Sequence, residues 1–389
     1  MFICSFTLLA EYECRLECDP GFVSDHPPTI SCIEGNYHPM RPHEFKCESA
    51  IALAVSTDGQ MEMISDKCNK LIMNIPSNMT LDCHTLNLID DKIVLGPVNI
   101  EKQSWMQFSL AGVRGGGILA NDWIGKKVVT RKVPRCHIST VHGNDLLYIG
   151  GRNRNQLRLN RNSLQGENWS PFDLYQKDKS SFFDAFVADG CSVKESKDEL
   201  IIIGGVHADQ SNQATNLVRK VNMRSHGILD NGALQYARSL HACEIITIAD
   251  KTAILVSGGV ASLLSSSIQI HQDEIYDLET GTSEPLAQTM TTPRYGHVLI
   301  NLGGTVYAIG GKDANGAQLS SMEKFSVSSK SWILHHLQLL SSSTYGLAVT
   351  GLPSSAADCE KGCQCGKVST ARVVGGSHVE VCILHSFLY

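Results

Sequence analysis

"VYAIGG", residues 306–311, decides the fold of this chain because it recurs. "LLYIGG" ends at Gly151, "LIIIGG" at Gly205 and "ILVSGG" at Gly259. The intervals from Gly151 to Gly311 are therefore 54, 54 and 52 residues. One interval upstream, "KIVLGP" ends at Pro97 as a degenerate copy. A fixed period of this size marks a repeat architecture. Each apolar, β-branched run reads as a short strand closed by a glycine pair: Gly150–Gly151, Gly204–Gly205, Gly258–Gly259 and Gly310–Gly311. Glycine alone freely takes the positive φ of a sharp strand exit, and it lets neighbouring sheets approach.

A second motif precedes each of these runs by 12 to 17 residues: "DCHTL" (82–86), "RCHIS" (135–139), "GCSV" (190–193), "RSLHAC" (238–243) and "RYGHVL" (294–299). Aromatic or apolar runs follow downstream, so each unit holds several short strands between turns, as a propeller blade requires. The units resemble kelch repeats, whose marks are the diglycine, the preceding Arg/His strand and a later Tyr and Trp. Arg294–Trp332 matches best. The unit ending at Pro97 and the unit over 191–229 depart from the pattern.

Five units carry both motifs, and two halves remain, "SAIALAVSTDGQMEMIS" (49–65) and "STYGLAVTGL" (343–352). Joining them gives a sixth blade closed by strands from both ends, with Tyr345–Val349 expected against Ile51–Val55. Closure of this kind removes exposed sheet edges. The resemblance thus implies an all-β, six-bladed kelch-type β-propeller over 49–352, with small disulfide-rich flanking segments. The loops after the glycine pairs (152–157, 206–216, 260–268 and 312–319) would gather on one face, where function usually sits. Among them "GRNRNQLRLNRN" (151–162) places Arg152, Arg154 and Arg158 together as candidates for contacting an anionic partner, or as a solvated loop and strand edge.

The composition of the 389 residues is globular, 42% hydrophobic and 19% charged. A net charge of −6 lacks the basic footprint of a nucleic-acid binder. No apolar run approaches the roughly 18 residues of a membrane span. Of fourteen cysteines, six fall within 4–68 and four within 359–382, a clustering typical of disulfide-stapled modules in an oxidising compartment. The sequons at Asn78 and Asn168 agree with an extracellular location. "MFICSFTLLA" is too short and lacks the basic start of a signal peptide, so the N-terminus is expected to be incomplete. The four remaining cysteines, Cys83, Cys136, Cys191 and Cys243, recur near one blade position and read as small buried thiols of the channel-side strand. His335-His336 reads as a surface pair. No His-Glu-x-x-His, Gly-x-Ser-x-Gly or complete P-loop is present, and no metal or cofactor is expected.

Residues 13–47 resemble the later part of a sushi module, through Cys18-x-x-Gly21-Phe22, Cys32-x-x-Gly35-x-Tyr37 and Cys47. That resemblance implies a Cys18–Cys47 disulfide and pairs Cys32 with Cys14 or Cys4. At the other end, "CEKGCQCGKVSTARVVGGSHVE" (359–380) resembles the activation segment of a trypsin-like zymogen. The resemblance implies cleavage between Arg372 and Val373, with Cys365 tethering the propiece; Cys359 and Cys363 read as further disulfide candidates. Only 17 residues follow Arg372, so no catalytic triad fits. The sequence therefore divides into a partial sushi-like module (1–48), the propeller (49–352), a cysteine-rich linker (353–372) and the start of a trypsin-like domain (373–389). The expected function is that of a secreted modular protein-binding protein, with no catalytic residues of its own, acting through propeller loops on a protein partner. The alternative is the regulatory propiece of a trypsin-like serine protease zymogen.

Overall fold

A computed structural model describes residues 187–353 apart from 208–212, 262–267 and 342–344, together with strands and adjoining residues between 2 and 176. The fold is an all-β propeller. Its sheets are antiparallel meanders, each taken in chain order. Ile138–His142, Asp145–Ile149, Leu157–Asn160 and Trp169–Pro171 form one. Cys191–Lys194, Glu199–Ile203, Leu217–Asn222 and Gly227–Ala233 form the next, to whose last strand Tyr175–Gln176 adds in parallel. Ala242–Ile248, Lys251–Ser257, Glu274–Asp277 and Thr282–Pro285 follow. Val298–Leu302, Thr305–Ile309, Ser321–Ser326 and Ser331–Gln338 come last. Upstream, Thr85–Ile89, Lys92–Asn99, Ser104–Ser109 and Trp123–Ile124 repeat the pattern.

One further sheet draws on both ends of the described chain. Ala348–Pro353 lies antiparallel to Glu48–Val55, which continues into Gln60–Ile64 and Asn69–Asn74. The register sets Ala348 opposite Val55 and Pro353 opposite Ala50. The strand therefore begins three residues later than the sequence suggested. Tyr345 and Gly346 are used instead in the turn before it, where the Gly346 N–H donates to the Gly296 carbonyl.

Packing between sheets explains the strand composition. A side-chain period of two sends alternate residues to opposite faces. In Glu48–Val55, Ile51, Leu53 and Val55 join a core with Leu86, Ile93, Leu95 and Phe108. Ala50, Ala52 and Ala54 face the other way, against Ile300, Tyr307, Ile309 and Met322. Further cores join Leu147 and Ile149 to Leu200 and Ile202, Ile201 and Ile203 to Ile254 and Val256, and Ala253 and Leu255 to Val306 and Phe325. Blades buried on both faces need apolar residues at every position, which is why the second strands read "LLYI", "LIII" and "TVYAI". Each such Leu or Ile contributes about 2 kcal/mol on burial.

Near the start of the chain, Phe2–Phe6, Tyr12–Leu16, Thr29–Ile33 and Asn36–His38 make a separate sheet. Cys14 stands opposite Cys4 in its register, and Cys32 opposite Tyr12 and Tyr37. Phe22–Val23 pairs instead with Ser49 and Glu48 of the propeller, and a disulfide joins Cys18 to Cys47. Residues 354–389 lie outside the described residues, and with them Cys359, Cys363, Cys365, Arg372 and Val373.

Candidate functional site

The first strand of each blade lines a central channel of about 500 Å³. Asn87, Ser139, Ser192, Lys194, Glu244 and Thr350 line it from five of the sheets, and Leu299 and Ile300 from another. Ser139 Oγ donates to the side-chain Oδ1 of Asn87, and Lys194 Nζ donates to the Val141 backbone carbonyl at 2.8 Å. Glu244 accepts from the N–H groups of Ile245 and Asn301. Burial nevertheless pushes its carboxyl up to about 7, outweighing those two donors.

One mouth of the channel carries a ring that the repeat builds from backbone alone. Cys83, Cys136, Asp189, Leu240, Gly296 and Gly346 stand at matching places just before the inner strands, and all have φ between 51° and 66°. The Asp189 N–H donates to the Cys136 carbonyl, Leu240 to Asp189, Gly296 to Leu240, and Gly346 to Gly296. Non-glycine residues in this region are uncommon and costly, so the hydrogen-bonded ring holds them there. Two disulfides reinforce it, Cys83–Cys136 and Cys191–Cys243, with Cα separations of 4.7 and 5.9 Å. These four residues are therefore cystines joining neighbouring blades, not the free buried thiols that the sequence suggested. Their spacings of 53 and 52 equal the repeat, which was the available signal. Residues one repeat apart occupy equivalent places in adjacent blades, and they come closest near the axis.

Beneath the ring, histidines follow the left-handed residues. His84, His137, His241 and His297 are all buried. His241 and His297 pack under Gly204 and Gly258, where a Cβ would lie 2.7 and 2.8 Å from the imidazole carbon. All eight residues of the four glycine pairs have positive φ. Burial, aided by the Arg238 guanidinium, lowers the His241 imidazole to about 3, and His297 likewise falls well below its usual value. Ser257 Oγ and His297 Nε2 lie 2.9 Å apart, but Ser257 is fully buried, so the pair is structural. His335 and His336 do stand together, ring centroids 4.4 Å apart, but only His336 is at the surface; His335 is buried, edge-on to Tyr307 at 5.4 Å.

Two fully buried ion pairs fix the connections that enter this face. Arg238 donates to Glu274 and to the carbonyls of Gly258 and Gln272. Arg294 donates to Glu323 and to the carbonyls of Gly310 and Ser321. Each carboxylate also accepts two consecutive backbone N–H groups, Gln235 and Tyr236 on Glu274, and Thr291 and Thr292 on Glu323. Trp332 Nε1 donates to Asp273 at 2.8 Å across to the preceding blade, and burial raises the Asp273 carboxyl to about 6.

The loops after the glycine pairs project from the mouth face. Val206, Val260 and Lys312 each pair with a residue later in the loop: Ala214, Gln269 and Gln318. Val260 and Lys312 pair also with Ser239 and Tyr295, ahead of the next inner strand. In the last loop Asp313 accepts from Asn315 and Ala317, which holds Ala314–Gln318 outward in a defined shape. Lys312 Nζ sits 4.3 Å above the Tyr345 ring, which meets Tyr295 edge-on at 5.9 Å. Ile268, 70% exposed, ends the loop of the preceding blade, where its carbonyl accepts the Ala261 N–H. Arg158 lies on strand Leu157–Asn160, opposite Leu147 and Ser170. Arg152, Arg154, Asn78 and Asn168 lie outside the described residues.

The arrangement is that of a β-propeller scaffold around a polar channel, with the loop over 312–319 in a defined shape at its mouth. By sequence, residues 293–334 match the Kelch motif. No curated protein matches the chain. A kelch-bearing propeller points to protein binding. Among the described residues no helix is long and apolar enough to cross a membrane.

Proposed function

We propose that this chain is a secreted, six-bladed propeller that binds a protein partner through its mouth-face loops. The observation that carries the reading is the clustering of Lys312, Tyr295, Tyr345 and Gln318 on segments held by backbone pairing. The left-handed residues recurring once per blade support the count of six, and the Ala348–Pro353 pairing with Glu48–Val55 supports closure by both ends. Disulfides between blades agree with an oxidising, extracellular setting. On this reading the domains divide as the sequence suggests, with a sushi-like segment before the propeller and a zymogen-like segment after it.

A photo-activated cross-linking residue tests the binding face. Placed at Gln318 on the mouth face, it is expected to capture a partner from the extracellular fraction. Placed at Lys330, in the turn on the opposite face, it is expected to capture none. Capture at Lys330 and not at Gln318 would overturn the assignment.

A further inference from the structure

Three groups at the channel mouth stand together as no other set does among the described residues. Cys83 Sγ, Cys136 Sγ and a carboxylate oxygen of Asp189 all lie within 4.8 Å of one another, and all three residues are half-buried. They come from the same left-handed position of three consecutive blades. The hydrogen bond from Asp189 N–H to the Cys136 carbonyl fixes the third relative to the second. The other cystine, Cys191–Cys243, has the same blade-to-blade spacing but belongs to no such group.

We propose that the Cys83–Cys136–Asp189 triplet is a redox-gated site for a soft divalent cation of the zinc class. Two thiolates and a carboxylate are a ligand set such ions favour, and the mouth leaves a fourth position for water or a donor from a partner. In the oxidised protein the disulfide holds both sulfurs and the site is closed. A dithiol reductant opens it by supplying two electrons and two protons, and leaves as its own cyclic disulfide. Each sulfur of the pair gains one proton as the S–S bond breaks. The cation then displaces both thiol protons to solvent and binds the thiolates. The disulfide ties two blades, whereas the bound cation ties three, so metal loading preserves the ring that reduction would otherwise loosen.

Cobalt(II) is the probe, added to the full-length protein before and after reduction with a phosphine that does not bind it. Thiolate coordination gives a near-ultraviolet charge-transfer band and visible bands of tetrahedral cobalt. The chain holds other cysteines, so the readout is the difference between parent and variant. Cys83→Ser with Cys136→Ser is expected to remove one cobalt equivalent, and Cys191→Ser with Cys243→Ser to remove none. Asp189→Asn keeps both thiols and nearly the same side-chain volume, so it addresses the site even where the double variant folds poorly. It is expected to weaken cobalt binding at least about tenfold. Equal stoichiometry in both double variants, or unchanged affinity in Asp189→Asn, would overturn the proposal.

Discussion

The blades that contain Arg238 and Arg294 and the blade that closes the ring solve one problem with different means. In the first two, a buried carboxylate accepts two consecutive backbone N–H groups and a guanidinium neutralises it. In the closing blade Glu62 accepts the N–H groups of Leu340 and Ser341 in the same manner. No guanidinium faces Glu62 among the described residues, and burial raises its carboxyl above the usual range. In the repeat alignment Thr344 stands where Arg294 stands one blade earlier. A contact that is local in the ordinary blades therefore joins residues 278 apart at the seam, and it does so with a carboxylate that is desolvated and uncompensated. The carboxylates of Glu274 and Glu323 are neutralised where they lie and Glu62 is not, so the seam is expected to be the less firm place.

The largest expected effect tests that contrast directly. Arg294→Ala leaves Glu323 buried without its cation and removes the guanidinium donor from the Gly310 carbonyl, a loss of about 4 kcal/mol in denaturant unfolding. Glu62→Ala leaves two N–H groups unpaired but also removes a desolvated charge, so it is expected to lose only about 1–2 kcal/mol. Equal losses would break the comparison.

Backbone substitutions give the next effect. A Cβ on Gly258 would lie 2.1 Å from the Arg294 carbonyl, at φ 59°. Gly258→Ala is therefore expected to cost at least about 3 kcal/mol, from overpacking and an unfavourable φ together. Gly304 has a similarly positive φ but nothing within 4 Å, so Gly304→Ala should cost about 1 kcal/mol, the conformational part alone. The same unfolding curves separate the two terms.

Hydrogen exchange sharpens the comparison at the seam. Local opening follows the least stable contacts. Amides of Ala348–Leu352 are expected to exchange about tenfold or more faster than those of Thr305–Ile309, a difference of at least about 1.4 kcal/mol in opening free energy. Equal protection would mean that the seam is as firm as the blade interior.

A further effect depends on pH. Glu244 has a carboxyl raised to about 7 in the fold, against an ordinary value of 4.5. The folded state then binds the proton more tightly, so the cost of burying the charge is present above pH 7 and is relieved as pH falls towards 4.5. Glu244→Gln removes that cost. Relative to parent, the variant should gain about 2 kcal/mol between pH 5 and pH 8, allowing for water in the channel. His241 acts oppositely. Its lowered imidazole contributes stability that is full above pH 6.5 and is lost as pH falls towards 3. A flat difference between Glu244→Gln and parent across that range would show that the carboxyl is solvated.

Much of this was legible in the chain itself. The glycine pairs and their spacing give the repeat, because a positive φ at a strand exit selects for glycine wherever the blade recurs. "IALAV" carries both packing faces, since large and small residues alternate with the strand period. The cystines were legible in principle, as their spacings equal the repeat, but composition alone suits a buried thiol as well as a bonded one.

Other features needed the third dimension. The ring of left-handed residues includes Leu240 and Cys136, which no turn preference singles out; hydrogen bonds between neighbouring blades hold them there. Glu62, Glu244 and Asp273 look like ordinary strand or loop acids in the sequence, and their shifted carboxyls come from neighbours far along the chain. The start of the closing strand at Ala348 was likewise decided by Tyr345 and Gly346 being taken up in the mouth turn. Local periodicity and glycine placement determined the blade. Contacts between blades, which no single repeat contains, decided the channel, its cross-links and its charges.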